Sequence, residues 1–287
     1  LPSPAKINLF LEVLAKRDDG YHEIRSALQV IDLSDQVTLT KTEGGIVVRV
    51  KGEAAPSGQE NLAYRAAELL LRETGIKGGA EVTIEKRIPV GGGLGGGSSN
   101  AATTLWGLNL LFGLELSLET LMELGARLGA DVPFFFLGGL AFATGRGERL
   151  QPLPPLPTWW VVVANPGFPI STGWVYQALA PPLTDEALTL TIKDLLLRCE
   201  GERALSLSFN RLEEVVLPRY PEVARLKGLL TSWGAKPALM AGSGSSVFGM
   251  VPERRQGEAM VERLREAGLR AFLSRTLDHN PMFDARC

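Results

Sequence analysis

Apolar and polar positions alternate from residue 5 to residue 14. Ile7, Leu9, Leu11 and Val13 fall on one face of a strand, with Lys6, Asn8 and Glu12 on the other. A turn rich in Asp and Gly, KRDDGYHE, follows, and then the strand signals SALQVI, QVTLT and GIVVRV. The first fifty residues therefore predict a β-meander or mixed sheet. From Asn61 the period becomes helical, with a cap residue at the start and Gly75 at the end. Strand period returns in AEVTIEKRIP, where Val82, Ile84, Lys86 and Ile88 alternate with charged neighbours. Two helical patterns come next, over 98–112 and 117–129, the second capped by Ser117. A further strand signal lies at 140–144.

Pro152, Pro154, Pro155 and Pro157 cannot sit inside a helix or a central strand, so the domain boundary is placed there, dividing the chain into 1–152 and 153–287. The second half reads as a strand (WWVVVANP), helices from Ser171 to about 230, and a strand, Gly-Ser loop and strand (ALMAGSGSSVFGMV). A helix over 253–267 and a last strand (RAFLSRTL) complete it. A β-α-β-β-α-β order is the ferredoxin-like arrangement, and the class of the whole is α+β.

Composition narrows the function. The 287 residues are 45% hydrophobic and 22% charged, enough for a sizeable core, and the formal net charge of −2 gives no global basic field for nucleic acid. The only histidines, His22 and His279, cannot build a multi-His metal site. Cys199 and Cys287 fit neither a zinc ribbon nor a redox pair. Two lone thiols read as cytosolic and reduced. The longest apolar runs are too short to span a bilayer, and charges interrupt the N-terminal one, so no signal peptide is expected. The reading is a cytoplasmic protein, although a chain beginning at Leu1 leaves room for a few preceding residues.

Glycine is the outlier, and it clusters. Six of the seven residues from Gly91 to Gly97 are glycine, with Leu94 among them, and Ser98 and Ser99 follow at a helix start. Such a run sheds its Cβ atoms and lets backbone N–H groups face one spot, and the helix N-terminus adds free N–H groups and its positive dipole end. The implied ligand is a polyphosphate. A Walker A loop would need a Lys before Ser98, which is absent. Gly91, Gly93 and Gly96 do spell the dinucleotide-binding G-x-G-x-x-G. That match is weak within a glycine tract, and the strand and acidic residue it requires do not follow.

Five further positions carry candidate chemistry. Lys6 and Asn8 point the same way from one strand; a lone strand lysine usually faces solvent. Asp131, in GADVP, has the ordinary reading of a cap or turn residue. Tyr21 and His22 could form a plain loop tip. Together, however, PAKINLFLEVLAKRDDGYHEIRS, ENLAYRAA, IPVGGGLGGGSSNAA, LGADVPFFFLGG and MAGSGSSVFG resemble the GHMP family of small-molecule kinases, in the family's order and over residues 4 to 249. The pairing of PAKINL with KRDDGYH is narrower. It is similar to the branch whose acceptor is a diphosphocytidyl polyol of the non-mevalonate isoprenoid route.

The resemblance implies a two-domain fold, with a left-handed β-α-β unit in the first domain and a ferredoxin-like second domain. It implies ATP as phosphoryl donor, Mg²⁺, and an acceptor carrying cytidine diphosphate. Lys6 and Asp131 match the catalytic positions. The segment Pro89, Val90, Gly91, Gly92, Gly93, Leu94, Gly95, Gly96, Gly97, Ser98 and Ser99 matches the nucleotide loop, with Ser98 or Ser99 the nearest hydroxyls to a phosphate-bound metal. Asn61 and Lys86 match adenosine contacts. Asn8, Tyr21 and His22 match substrate positions, with His22 at the cytosine edge. A second aromatic is expected on the cytosine: Tyr176, with Trp174 and Phe168 as alternatives. Gly242 and Ser243 begin a loop near the substrate phosphates. The resemblance suggests a monomer or weak homodimer without nucleic-acid or membrane partners. Two alternatives are another GHMP kinase, of homoserine or mevalonate type, and a non-catalytic binding protein of this fold.

Overall fold

The computed structural model describes residues 1–52, 55–179 and 186–284. Cys287 lies outside the described residues, and Cys199 is an exposed free thiol. Six strands form the first sheet: β1 (Pro2–Lys16), β2 (His22–Thr42), β3 (Ile46–Gly52), β4 (Gly79–Lys86), β5 (Leu140–Gly145) and β6 (Arg149–Pro152). Their order is β3-β4-β2-β5-β6, with β1 also paired to β2. Only β3 and β4 run parallel, so the sheet is mixed.

The two strand signals SALQVI and QVTLT are one 21-residue strand, β2. The polar stretch between them does not break it, because Asp35 is buried and hydrogen-bonded to the chain leaving β4. At Gln36 the strand changes partner, from β1 to β4. β1 departs from simple alternation as well. Register shifts at Pro4/Ala5, Asn8/Phe10 and Val13/Ala15 bend it, and its polar face is as buried as its apolar one: Lys6, Asn8 and Glu12 are 4%, 2% and 1% exposed.

The parallel pair is crossed by α1 (Leu62–Thr74). Asn61 caps it, its Oδ1 accepting from Ala63 N at 2.9 Å, and Gly75 ends it at φ 67°. α2 (Gly96–Phe112), α3 (Leu118–Leu128) and α4 (Phe134–Leu137) follow. α2 is apolar nearly all round and lies buried between α1, α3 and the sheet.

The second sheet comprises β7 (Trp160–Asn165), β8 (Ala238–Met240), β9 (Val247–Val251) and β10 (Arg270–Arg275). It is antiparallel with order β10-β7-β9-β8, the ferredoxin-like topology. Between β7 and β8 run α5 (Thr172–Ala178), α6 (Glu186–Leu197), α7 (Gly201–Ser206), α8 (Glu213–Arg219) and α9 (Pro221–Ser232), and α10 (Arg254–Glu266) links β9 to β10.

The sheets share one apolar core. Ile7, Leu9 and Phe10 of β1 cluster with Val161 and Val163 of β7 and with Phe248 and Met250 of β9. The end of the chain departs from a division at 152/153. After β10 it returns to the first sheet, where Leu277 N donates to Val30 O at 3.0 Å, Asn280 Nδ2 donates to Phe135 O at 2.7 Å, and Met282 is buried against that domain's helices. The tail has no periodic pattern to announce this; its fit is made by backbone hydrogen bonds, the buried Asn280 amide and a buried methionine.

Candidate active site

A cleft of about 760 Å³ opens between the two sheets, lined by β1, the glycine loop, the turn at Tyr21 and His22, Asp131, α5 and the loop at Gly242. All the candidate positions except Ser99, Trp174 and Phe168 line it.

At its centre Lys6 Nζ lies 3.6 Å from Asp131 Oδ2. The lysine is buried and the carboxylate is partly open, so one face of the pair remains accessible. Lys6 Nζ donates to Asn8 Oδ1 at 2.9 Å, Asn8 Nδ2 donates to Ser26 Oγ at 2.8 Å, and Ser26 Oγ donates to Phe10 O at 2.6 Å. Because the serine proton is given to a carbonyl, Ser26 can only accept from the Asn8 amide. That relay turns the amide oxygen toward the lysine. Asp131 does not cap α4, whose cap position is Pro133.

The glycine loop leaves β4 and ends at α2. Ser99 N donates to Gly95 O at 2.9 Å, so the amides of Gly96, Gly97 and Ser98 precede the helix's first internal bond and have no acceptor within the helix, the arrangement that suits an anion. Several glycines are required by the protein itself. A Cβ on Gly93 would lie 1.8 Å from Ala241 O, and one on Gly95 would lie 2.9 Å from Lys6 Cγ. Gly97 is different: its Cβ would meet only Leu62, at 3.7 Å. Ser98 lines the cleft, whereas Ser99 is buried with its hydroxyl 2.8 Å from that of Ser3. Of the two serines considered for a phosphate-bound metal, the accessible hydroxyl is Ser98. Among the described residues no group of three His, Cys, Asp or Glu side chains could hold a metal alone.

The adenosine candidates carry other duties. The Asn61 amide caps α1 and donates to Pro56 O at 2.8 Å. The buried Lys86 ammonium pairs with Asp35 and donates to Asn100 Oδ1 at 3.2 Å. Both residues still border the cleft.

In the same cleft, His22 and Tyr176 stand with ring centroids 5.3 Å apart. Burial, reinforced by Lys16, holds the imidazole below its usual 6.5, so it is neutral near pH 7. Burial and then the Asp131 charge raise the Tyr176 phenol well above its usual range. Trp174 and Phe168 instead pack on Tyr220, at 5.7 and 5.8 Å, away from the cleft. Tyr21 is exposed, with the Arg146 guanidinium 4.8 Å over its ring. Ser243 Oγ lies 2.8 Å from Thr172 Oγ1, which ties its loop to α5.

Sequence reasoning missed Ser26, Arg146 and Asn210. Asn210 Nδ2 donates to Met240 O at 2.8 Å and to Gly242 O at 2.7 Å, and its backbone pairs with Leu11. Each is a common residue type in an ordinary local pattern. Only burial and a distant partner distinguish them.

Residues 61–139 match the family model described as GHMP kinases N terminal domain, and residues 191–269 match GHMP kinases C terminal. The chain belongs to the GHMP kinase family. Within it, the similarity runs to one kind of enzyme. A 4-diphosphocytidyl-2-C-methyl-D-erythritol kinase of Geobacter metallireducens is 45% identical over 269 residues, which is 92% of this chain and 93% of the relative. A crystal structure of 4-(cytidine 5'-diphospho)-2C-methyl-D-erythritol kinase matches with a TM-score of 0.82 at 39% identity, over 96% of this chain and 98% of that one. A homoserine kinase from Cytophaga hutchinsonii matches at TM-score 0.71 and 17% identity, over 97% and 96%, a likeness of fold alone.

Proposed function

We propose that the protein transfers the γ-phosphoryl group of ATP to the 2-hydroxyl of 4-diphosphocytidyl-2-C-methyl-D-erythritol, on the non-mevalonate route to isoprenoid precursors. The observation that carries this reading is the Lys6–Asp131 pair in one cleft with an anion cradle and the His22–Tyr176 pair. The cradle suits a polyphosphate. A neutral imidazole can both donate to and accept from a pyrimidine edge, and the phenol ring beside it offers a stacking face.

Phosphoryl transfer runs through a loose transition state, so positioning and charge stabilisation outweigh activation of the nucleophile. Asp131 accepts the hydrogen bond of the acceptor hydroxyl and, late in the reaction, its proton. The acceptor oxygen forms the new P–O bond as the bond between the γ-phosphorus and the β,γ-bridging oxygen breaks, and ADP departs. The Lys6 ammonium, held by Asn8, offsets charge on the transferring group. Loop amides and the start of α2 hold the nucleotide phosphates. Mg²⁺ held by those phosphates, with the Ser98 hydroxyl at hand, would supply further charge neutralisation. Gly242 and Ser243 border the acceptor's phosphates in this reading. The working form is a cytoplasmic monomer or weak homodimer acting on a small molecule, without nucleic acid or membrane. Among the described residues no helix is long and apolar enough to cross a bilayer.

The test is ATP consumption by the purified protein with the diphosphocytidyl polyol, homoserine, mevalonate and galactose. Turnover confined to the first is expected. Preference for another alcohol would select a different GHMP kinase activity, and ATP binding without turnover would select a non-catalytic binder.

A further inference from the structure

We propose that Asp35 is a positioning residue that sets the shape of the glycine loop and, through it, the affinity for ATP; the second half of this statement rests on the reading of that loop as the nucleotide site. Asp35 is 1% exposed and does not line the cleft, so it acts through its neighbours. Its Oδ1 accepts from Arg87 N at 2.7 Å and from Ile88 N at 2.9 Å, where the chain leaves β4 and enters the loop. Its Oδ2 accepts from Asn100 Nδ2 at 2.9 Å and from the Lys86 ammonium. Asn100 lies in the first turns of α2, where the chain has left the loop. One carboxylate therefore holds both ends of the loop.

Two further contacts extend the clamp. Asn100 Nδ2 also donates to Ser3 Oγ at 2.9 Å, and Ser3 meets Ser99 at 2.8 Å, so the start of β1 is bound into the same cluster. A Cβ on Gly96 would lie 2.8 Å from Lys86 Nζ, which places the ammonium directly beneath the first residue of α2. Lys86 thus supports the loop from below.

A buried carboxylate is costly unless its oxygens are well paired, and apolar residues of similar volume often stabilise as well or better. Stability alone is a weak reason for this cluster. What four donors on one carboxylate provide here is a fixed distance and register between the two loop ends, so the amides that face the anion are held before ligand arrives.

The experiment is Asp35→Asn, which keeps an acceptor for Arg87 N and Ile88 N but removes the negative charge and replaces the oxygen that accepts from Lys86 and Asn100 with an amide NH₂, a donor. Affinities for a non-hydrolysable ATP analogue and for the diphosphocytidyl polyol are measured by calorimetry, with amide hydrogen exchange followed at residues 90–98. The analogue should bind about tenfold more weakly, the size expected when one partner of a buried charged hydrogen bond is lost. Polyol affinity should stay at the wild-type value. Exchange should quicken in the loop while β7 and β9 remain protected. Wild-type analogue affinity in a folded Asp35→Asn variant would overturn the proposal, as would an equal loss for both ligands with exchange raised throughout. Should Asp35→Asn not fold, Asn100→Ala leaves the Asp35 bonds to Arg87 N and Ile88 N in place and removes the helix-end tether together with the Asn100 contacts to Ser3 and Lys86. It should weaken the analogue selectively, and unchanged affinity there overturns the proposal equally. If the wild type binds no analogue, the nucleotide reading fails, while loop exchange still decides whether Asp35 shapes the loop.

Discussion

Lys6 Nζ and Asp131 Oδ2 stand 3.6 Å apart, the lysine buried on β1 and the carboxylate partly open at the turn before α4. Neither side chain caps a helix or closes a turn. Asp131 is not the α4 cap, and the Lys6 partner on its own strand is the amide of Asn8, itself part of the cleft wall.

Asp131→Asn removes the proton acceptor and keeps the shape. Turnover should fall by about 10²–10⁴, the usual contribution of a general base, with dissociation constants for both ligands nearly unchanged. Lys6→Met should also lower turnover. The double variant should lose less than the product of the two effects, because the pair acts as a unit. Near wild-type turnover in Asp131→Asn, measured by single-turnover kinetics, would leave the carboxylate as a turn residue.

Ser26 touches no reacting group in this scheme, yet its hydroxyl decides which way the Asn8 amide faces. Ser26→Ala frees that amide to flip and present N–H to the Lys6 ammonium. A net hydrogen bond is worth about 0.5–1.5 kcal/mol, and kcat should drop by a matching factor with the KM for ATP unchanged. An unaltered kcat would mean that other contacts orient Asn8.

Tyr176, not Trp174 or Phe168, lines the cleft. Tyr176→Ala should weaken binding of the cytidyl acceptor by about 1–3 kcal/mol, the usual worth of base stacking, without touching ATP. Trp174→Ala should instead lower the melting temperature, since that ring packs on Tyr220. Exchanged outcomes would move the stacking role.

The His22 imidazole sits below 6.5 through burial and the Lys16 charge. Below pH 6.5 the unfolded chain takes up this proton before the folded one does, so the stability contribution of neutral His22 is lost as pH falls through that window. Acceptor affinity should fall over the same range, as the protonated ring loses its acceptor nitrogen. Calorimetric titration from pH 8 to 5, compared with His22→Gln, isolates the effect; identical profiles would remove His22 from base recognition.

Loop glycines differ in what a substitution tests. Gly95 has φ 69° and abuts Lys6, so Gly95→Val strains the fold as well as the site. At Gly97 an added Cβ meets only Leu62, at 3.7 Å, so Gly97→Val crowds the protein itself far less. It should abolish binding of an ATP analogue while melting stays cooperative; near-normal affinity would make the loop a structural feature.

Local features were legible along the chain because neighbours in sequence encode them. Asn61 before a helical period and Gly75 after it mark the ends of α1, and the glycine tract marks a backbone that approaches something closely. The strand and helix order of the second half suffices for the ferredoxin-like topology, since a β-α-β-β-α-β chain has few ways to cover one sheet face. The polar face of β1 read as ordinary, by contrast, because spacing says which residues share a face and nothing about what covers that face.

Helix ends, strand periods, the glycine loop before α2 and the family likeness were thus determined by the sequence alone, through contiguous residues whose dihedral preferences and side-chain spacing act locally. Only the tertiary structure decided that Lys6 meets Asp131, that Tyr176 rather than Trp174 faces the cleft, that Ser98 rather than Ser99 is accessible, and that Asp35 joins the two ends of the glycine loop. Each of these depends on elements far apart in the chain. Their meeting is set by burial of the shared apolar core and by the pairing that buried polar groups require, and no local pattern carries either.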